Sequence, residues 1–169
     1  QALTTAQVVA LTSAQFRALT TGQVGQLTAE QVAAIQTADL NKLTTAQIEA
    51  KTAVQFQSLT TAQMPKLTTA QVAAIQTADL VTLSTEQLQA LTSAQVQALT
   101  TTQVAALTTD QLTGLDAGDV AAMTTAQIAA LTTAQIDDLT TEQVAALTTD
   151  QLSAVEAADL VRLTAAQIG

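Results

Sequence analysis

The chain has 169 residues, 48% of them hydrophobic and only 11% charged, with no Cys, His, Trp or Tyr. Its net charge of −9, with Arg17, Lys42, Lys51, Lys66 and Arg162 as the cations, excludes the basic surface that nucleic acid or an anionic membrane requires. The apolar excess argues against disorder; no apolar run approaches the ~18 residues of a membrane span and no signal-peptide pattern opens the chain, so a soluble segment with a buried core is expected.

From Ala2 onward the chain falls into twenty-one octads, residues 2–169, without an insertion. Such strict periodicity marks a repeat array. The consensus is Ala-Leu-Thr-Thr-Ala-Gln-Val-Ala. Position 7 is apolar in every octad, from Val8 and Phe16 to Leu160 and Ile168, and position 2 in every octad except the one holding Lys51. The other charges fall at positions 1, 3, 5, 6 and 8. Positions 2 and 7 are therefore assigned inward and the rest to solvent, which gives one buried seam along a single continuous unit, residues 1–169.

Within each octad the first Thr opens a capping box, as at Thr4, Thr12, Thr44, Thr68, Thr100, Thr132 and Thr148. Its hydroxyl accepts from the amide three residues on, while the Gln side chain there reaches back to the N–H of the cap. The flanking Leu and Val complete a hydrophobic staple. Glu30, Glu86, Asp110, Glu142 and Asp150 fall in the first turn, where the helix dipole favours negative charge. Each octad thus predicts a helix of about four to seven residues that starts just after its cap.

One long helix fails on arithmetic, because eight residues at about 100° each carry the apolar face round by about 80° per octad. A β-helix fails too: positions 2 and 7 are an odd number of residues apart and would fall on opposite faces of a strand. The fold class is all-α, an α-solenoid of very short capped helices, one per octad.

A 40-residue period lies above the octad. Octads 5, 10, 15 and 20 replace the Gln of position 6 by Asp39, Asp79, Asp119 and Asp159, and the capping Thr by Gln36, Gln76, Asp116 and Glu156. Phe16, Phe56, Val96 and Ile136 share that spacing. The period is read here as geometry: five octads make one superhelical turn, each turning the path by about 72°, and equivalent octads stack in columns. The alternative is that the period records duplication of a five-octad block with no geometric meaning. A stacked column of Asp39, Asp79, Asp119 and Asp159 would gather hard oxygen ligands for a weak calcium site; the plainer role of Asp at this position is to complement the helix dipole. No cofactor is expected.

Two neighbouring octads break the pattern. Lys51 takes an inward position, from which it is expected to snorkel to solvent, and Val54 stands where Ala is usual. Pro65 removes an amide and disfavours α geometry at Met64, so the helix of that octad should end early. The serines Ser13, Ser58, Ser84, Ser93 and Ser153 mostly occupy capping or polar repeat positions. With no His or Cys to activate a nucleophile, no enzyme is expected. Outward Thr5, Thr45, Thr125 and Thr133 carry the hydroxyl and methyl groups of an ice-binding face, although ordinary solvation is the simpler reading.

The motif Leu-Thr-Thr-Ala-Gln-Val resembles the tandem octapeptide repeats of very large bacterial secreted and surface proteins, adhesin-like ones among them. The resemblance covers the whole chain. It implies a non-enzymatic spacer, stalk or filament segment located outside the cell or at its surface. The alternative is a protein- or ligand-binding solenoid, with weak calcium or ice binding as variants. Leu27-Thr28-Ala29-Glu30-Gln31-Val32 also looks like the opening of a TAL effector repeat, but the 34-residue unit, its base-reading pair and a basic surface are missing. Self-association or end-to-end stacking is the expected partnership; nucleic acid, membrane insertion and a small-molecule ligand are not expected.

Overall fold

A computed structural model of the chain describes residues 3–160, 162, 163 and 167. Gln1, Gly169 and Ile168, the last assigned to position 7, lie outside the described residues. Among those described are nineteen α-helices of four to six residues and one 3-10 helix, with no strand. Each of the first twenty octads supplies one of them, from Thr5–Val9 to Ala157–Leu160. The chain is an α-solenoid.

The capping box explains why so short a helix forms. At Thr100 the backbone is extended, with φ −71° and ψ 157°. Its hydroxyl accepts from Gln103 N at 3.1 Å, and its own N–H donates to Gln103 Oε1 at 2.7 Å. Two amides that a helix start leaves unpaired are thereby satisfied in one exchange. Both bonds are present in fifteen octads. Helices end as uniformly: Leu99 N donates back to Val96 O at 3.1 Å, a tight turn that stops the helix at position 2.

Octad 8 departs from this scheme at Pro65. Residues 61–63 form a turn, and Met64–Lys66 is the 3-10 helix. Gln63 N–H is taken by the Thr60 carbonyl at 2.9 Å. After one α-type bond, from Met64 N to Thr60 O at 3.2 Å, the octad continues as the 3-10 turn, because proline lacks the amide that would make the next such bond.

Fivefold winding is not what the structure adopts. Ser93–Gln97 packs on Ala117–Ala122, which packs in turn on Thr141–Ala146, and Thr125–Ala129 packs on Thr149–Ala154. Each of these pairs joins octads three apart. Hydrogen bonds between turns span 28 and 31 residues. One superhelical turn therefore holds about three and a half octads, and each octad bends the path by about 100° rather than 72°. The cause is local: position 1 is αR, as at Ala98 (φ −82°, ψ −10°), and the cap two residues later, Thr100, is already extended. That abrupt switch makes a sharper corner than a five-octad turn requires. Phe16 and Phe56 consequently do not stack in one column, and the 40-residue period is not the period of winding.

Positions 7 and 2 line the core. Val72, Leu80, Val96, Val104 and Leu112 at position 7 are fully buried, and Leu83, Leu91, Leu99 and Leu107 at position 2 are nearly so. Leu152 is an exception at position 7, being 37% exposed; it lies in the last described turn, where no described octad packs over it.

Candidate functional site

The feature that organises this solenoid is a side chain assigned to solvent in the sequence reading. Glutamine at position 6 is buried through the interior octads, including Gln47, Gln71, Gln103 and Gln135, each 2% exposed. Its two ends do different work. While Oε1 closes the capping box of its own octad, Nε2 donates to carbonyls of the preceding turn. Gln103 Nε2 meets Ile75 O at 2.6 Å and Val72 O at 3.3 Å. Gln127 reaches Leu99 O at 2.7 Å and Val96 O at 3.0 Å, and Gln71 reaches Leu43 O at 2.7 Å and Leu40 O at 2.8 Å. The acceptors are the carbonyl of position 7, near a helix C-terminus, and the carbonyl of the next position 2, at the corner. The position 7 carbonyl already accepts from the N–H of the following position 2 and takes the amide on its second lone pair, whereas the position 2 carbonyl has no backbone donor, so each glutamine spans the corner between two octads below it, as bricks overlap in a wall.

A signal for this clamp is present in the sequence. Position 6 holds seventeen Gln and four Asp and never Glu. A capping box accepts Glu as readily as Gln; only a donor requirement at the far end of the side chain, or burial, excludes Glu.

The capping threonines Thr4, Thr12, Thr44, Thr68, Thr100, Thr132 and Thr148 each accept from the amide of the Gln three residues on, at 3.1–3.3 Å. The aspartates are placed differently from the expected column. They recur every 40 residues in a structure whose turn is near 28, so Asp39, Asp79, Asp119 and Asp159 are not stacked over one another. Among the described residues no group of three or more His, Cys, Asp or Glu could hold a metal ion. Asp39 and Asp119 each accept from a serine 26 residues earlier: Ser13 Oγ donates to Asp39, and Ser93 Oγ to Asp119 at 2.6 Å. Their octads lack a side-chain cap at Gln36 and Asp116. In two such octads the amide has moved to the capping position, where Gln36 donates to Val9 O at 2.9 Å and Gln76 to Glu49 O at 2.7 Å.

A family model described as the ALTTAQ repeat matches residues 1–29, 32–69, 72–109 and 112–149. The chain belongs to the ALTTAQ repeat family. No curated protein matches it at a significant level. The last three matches begin 40 residues apart, at 32, 72 and 112, a spacing of five octads. Sequence unit and superhelical turn are thus different lengths, and neighbouring units of the ALTTAQ array do not sit in the same rotational position.

Charge is sparse on this scaffold. Asp137 and Arg162, 25 residues apart, form an exposed ion pair between turns. The guanidinium, mainly through its hydrogen bond, holds the Asp137 carboxyl below the usual range. Glu86 is likewise held low by its own backbone amide and by Ser84. Lys51 is the anomaly. It does not snorkel: the residue is 3% exposed and Nζ has no hydrogen-bond partner. Burial lowers its pKa from 10.5 to about 8. The stem of Lys51 starts from an inward position between the turns, so the ammonium cannot clear the core as a lysine on an outer face would. A cavity of about 340 Å³ lies at the first turn beside Leu3, Leu19, Leu27 and Gln31, which are the position 2 and position 6 residues that face a neighbouring turn elsewhere. Among the described residues no helix is long and apolar enough to cross a membrane.

Proposed function

We propose that the chain is a non-enzymatic structural rod, a spacer, stalk or filament segment of a larger bacterial surface or secreted protein. What supports this reading is where the hydrogen-bonding groups are used. Threonine and glutamine at positions 3 and 6 serve the caps and the clamps between turns, while the outer positions 4 and 5 are mostly Thr and Ala and position 8 is varied, with Ala its commonest residue. Such a surface has few charges and no aromatic side chain to anchor a partner. Repeats that contact only adjacent turns extend without limit, a property suited to spanning distance. Turns stacked at helix-packing separation of about 8–10 Å would place octads 1–20 along roughly 50 Å.

Small-angle scattering on the chain and on a variant carrying a second copy of residues 74–113 tests this. The added five octads should lengthen the particle by about 10–15 Å at unchanged cross-section. An increase in cross-section at constant length would overturn the rod reading. A calcium-dependent rise in melting temperature would favour the ligand-binding alternative instead.

A further inference from the structure

Lys51 and Asp79 are linked by the rule that builds the rest of the solenoid. In interior octads the side chain of position 6 lies over position 2 of the octad three earlier, with Gln Nε2 at 2.6–2.9 Å from a carbonyl 28 residues back. Asp79 stands 28 residues after Lys51, and the helix Thr77–Leu80 packs on Ala53–Gln57. Asp79 also lacks the partner that two of the other aspartates have. Ser13 and Ser93 lie 26 residues before Asp39 and Asp119 and donate to them; the equivalent residue before Asp79 is Ala53, which has no hydroxyl. Two departures from the repeat, a lysine at 51 and a missing hydroxyl at 53, therefore lie in the segment over which Asp79 packs, and in this conformation the Lys51 amine and the Asp79 carboxylate make no ion pair. Charged groups on the neighbouring elements are Glu30, on the helix Ala29–Ala33 that packs on Ala53–Gln57, and Glu49 on the preceding helix. Both are exposed, whereas Asp79 is half-buried and its pKa is raised by that burial.

We propose that the protonated Lys51 amine pairs with Asp79 across the turn, and that this pair is a register mark in an otherwise self-similar array. The structure shows Nζ without a hydrogen-bond partner; the charged form requires one, and Asp79, whose glutamine counterparts reach the main chain of position 2, is the carboxylate that a change of side-chain rotamer would bring to it. Register needs such a mark because the contacts between turns are nearly the same for every octad. A slip of one octad would lay Gln71 or Gln87 over Lys51, and an amide cannot neutralise an ammonium. Aspartate occurs at position 6 only once in five octads, so only the native register, or a slip of five octads, offers a carboxylate. A buried polar group that selects one alignment at a cost in stability has precedent in coiled coils.

The test is a double-mutant cycle on the whole chain with Lys51→Met and Asp79→Asn, read by thermal melts at pH 7, together with an NMR titration of the Lys51 amine. Pairing predicts that Lys51→Met raises the melting temperature several degrees more in the Asp79→Asn background than in the parent. It also predicts that Asp79→Asn lowers the Lys51 titration midpoint by half a unit or more. Ala53→Ser, which supplies the hydroxyl found at Ser13 and Ser93, should lower that midpoint too by competing for the carboxylate. If Asp79→Asn does not fold, Asp79→Gln installs the ordinary clamp and provides the neutral background. Additive melting shifts, or a Lys51 midpoint indifferent to residue 79, would overturn the proposal.

Discussion

Gln103 Nε2 donates to the carbonyl of Ile75, 28 residues earlier, at 2.6 Å, and the same side chain accepts from Thr100 N at 2.7 Å through Oε1. One residue therefore couples the start of a local helix to the stacking of two turns. Loosening the cap loosens the stack.

Gln103→Glu separates those roles. It keeps an acceptor for the cap but removes both donors and sets a carboxylate against two buried carbonyls. The variant should lose about 2–4 kcal/mol at pH 7, with part recovered below about pH 4 as the acid protonates. Urea unfolding at the two pH values measures it. A loss no greater than that of an exposed substitution would show that the clamp contributes little.

Inward and outward positions should differ sharply. Leu99→Ala opens a cavity in a residue 4% exposed and should cost about 2–4 kcal/mol, whereas Thr101→Ala, exposed at position 4, should stay within about 0.5 kcal/mol. Chemical denaturation of both variants beside the parent decides whether the core assignment is right.

Lys51 should make stability depend on pH in the alkaline range. Its folded pKa is about 8 against 10.5 unfolded, so the unfolded chain holds the proton more tightly. The penalty is full below pH 8, declines as pH rises from 8 to 10.5, and is gone above it. Lys51→Leu should therefore stabilise by up to about 3 kcal/mol at pH 7, less whatever Asp79 returns, and the gain should shrink through that window. Denaturant melts of both chains from pH 7 to 10.5 check the sign.

Whole-octad deletions test the winding. With about three and a half near-identical octads per turn, removing Ala90–Gln97 leaves every later octad over equivalent neighbours, and removing residues 82–121 does the same with five octads fewer. The single-octad deletion should be the milder, with loss following the residues removed. A single-octad deletion as damaging as the larger one would mean that the 40-residue period carries geometry after all.

What could be read from the sequence was local. The capping pattern around Thr100 and Gln103, the alternation of Leu99 and Val104 with polar residues, and the barrier at Pro65 all act within one octad, over distances at which residue type decides backbone conformation. Positions 2 and 7 were legible as core for the same reason. The number of octads per turn was not, because it depends on the small bend at each corner summed over 28 residues, and the conspicuous 40-residue pattern of Asp39 and Asp79 suggested a different sum. The second role of glutamine lay in the same gap. Its capping bond is local, but the donor end finds its carbonyls only after the chain has come round once. Nor did Lys51 declare itself as buried: whether an inward lysine reaches water depends on how closely the next turn covers it, and that is settled by packing between residues far apart in sequence.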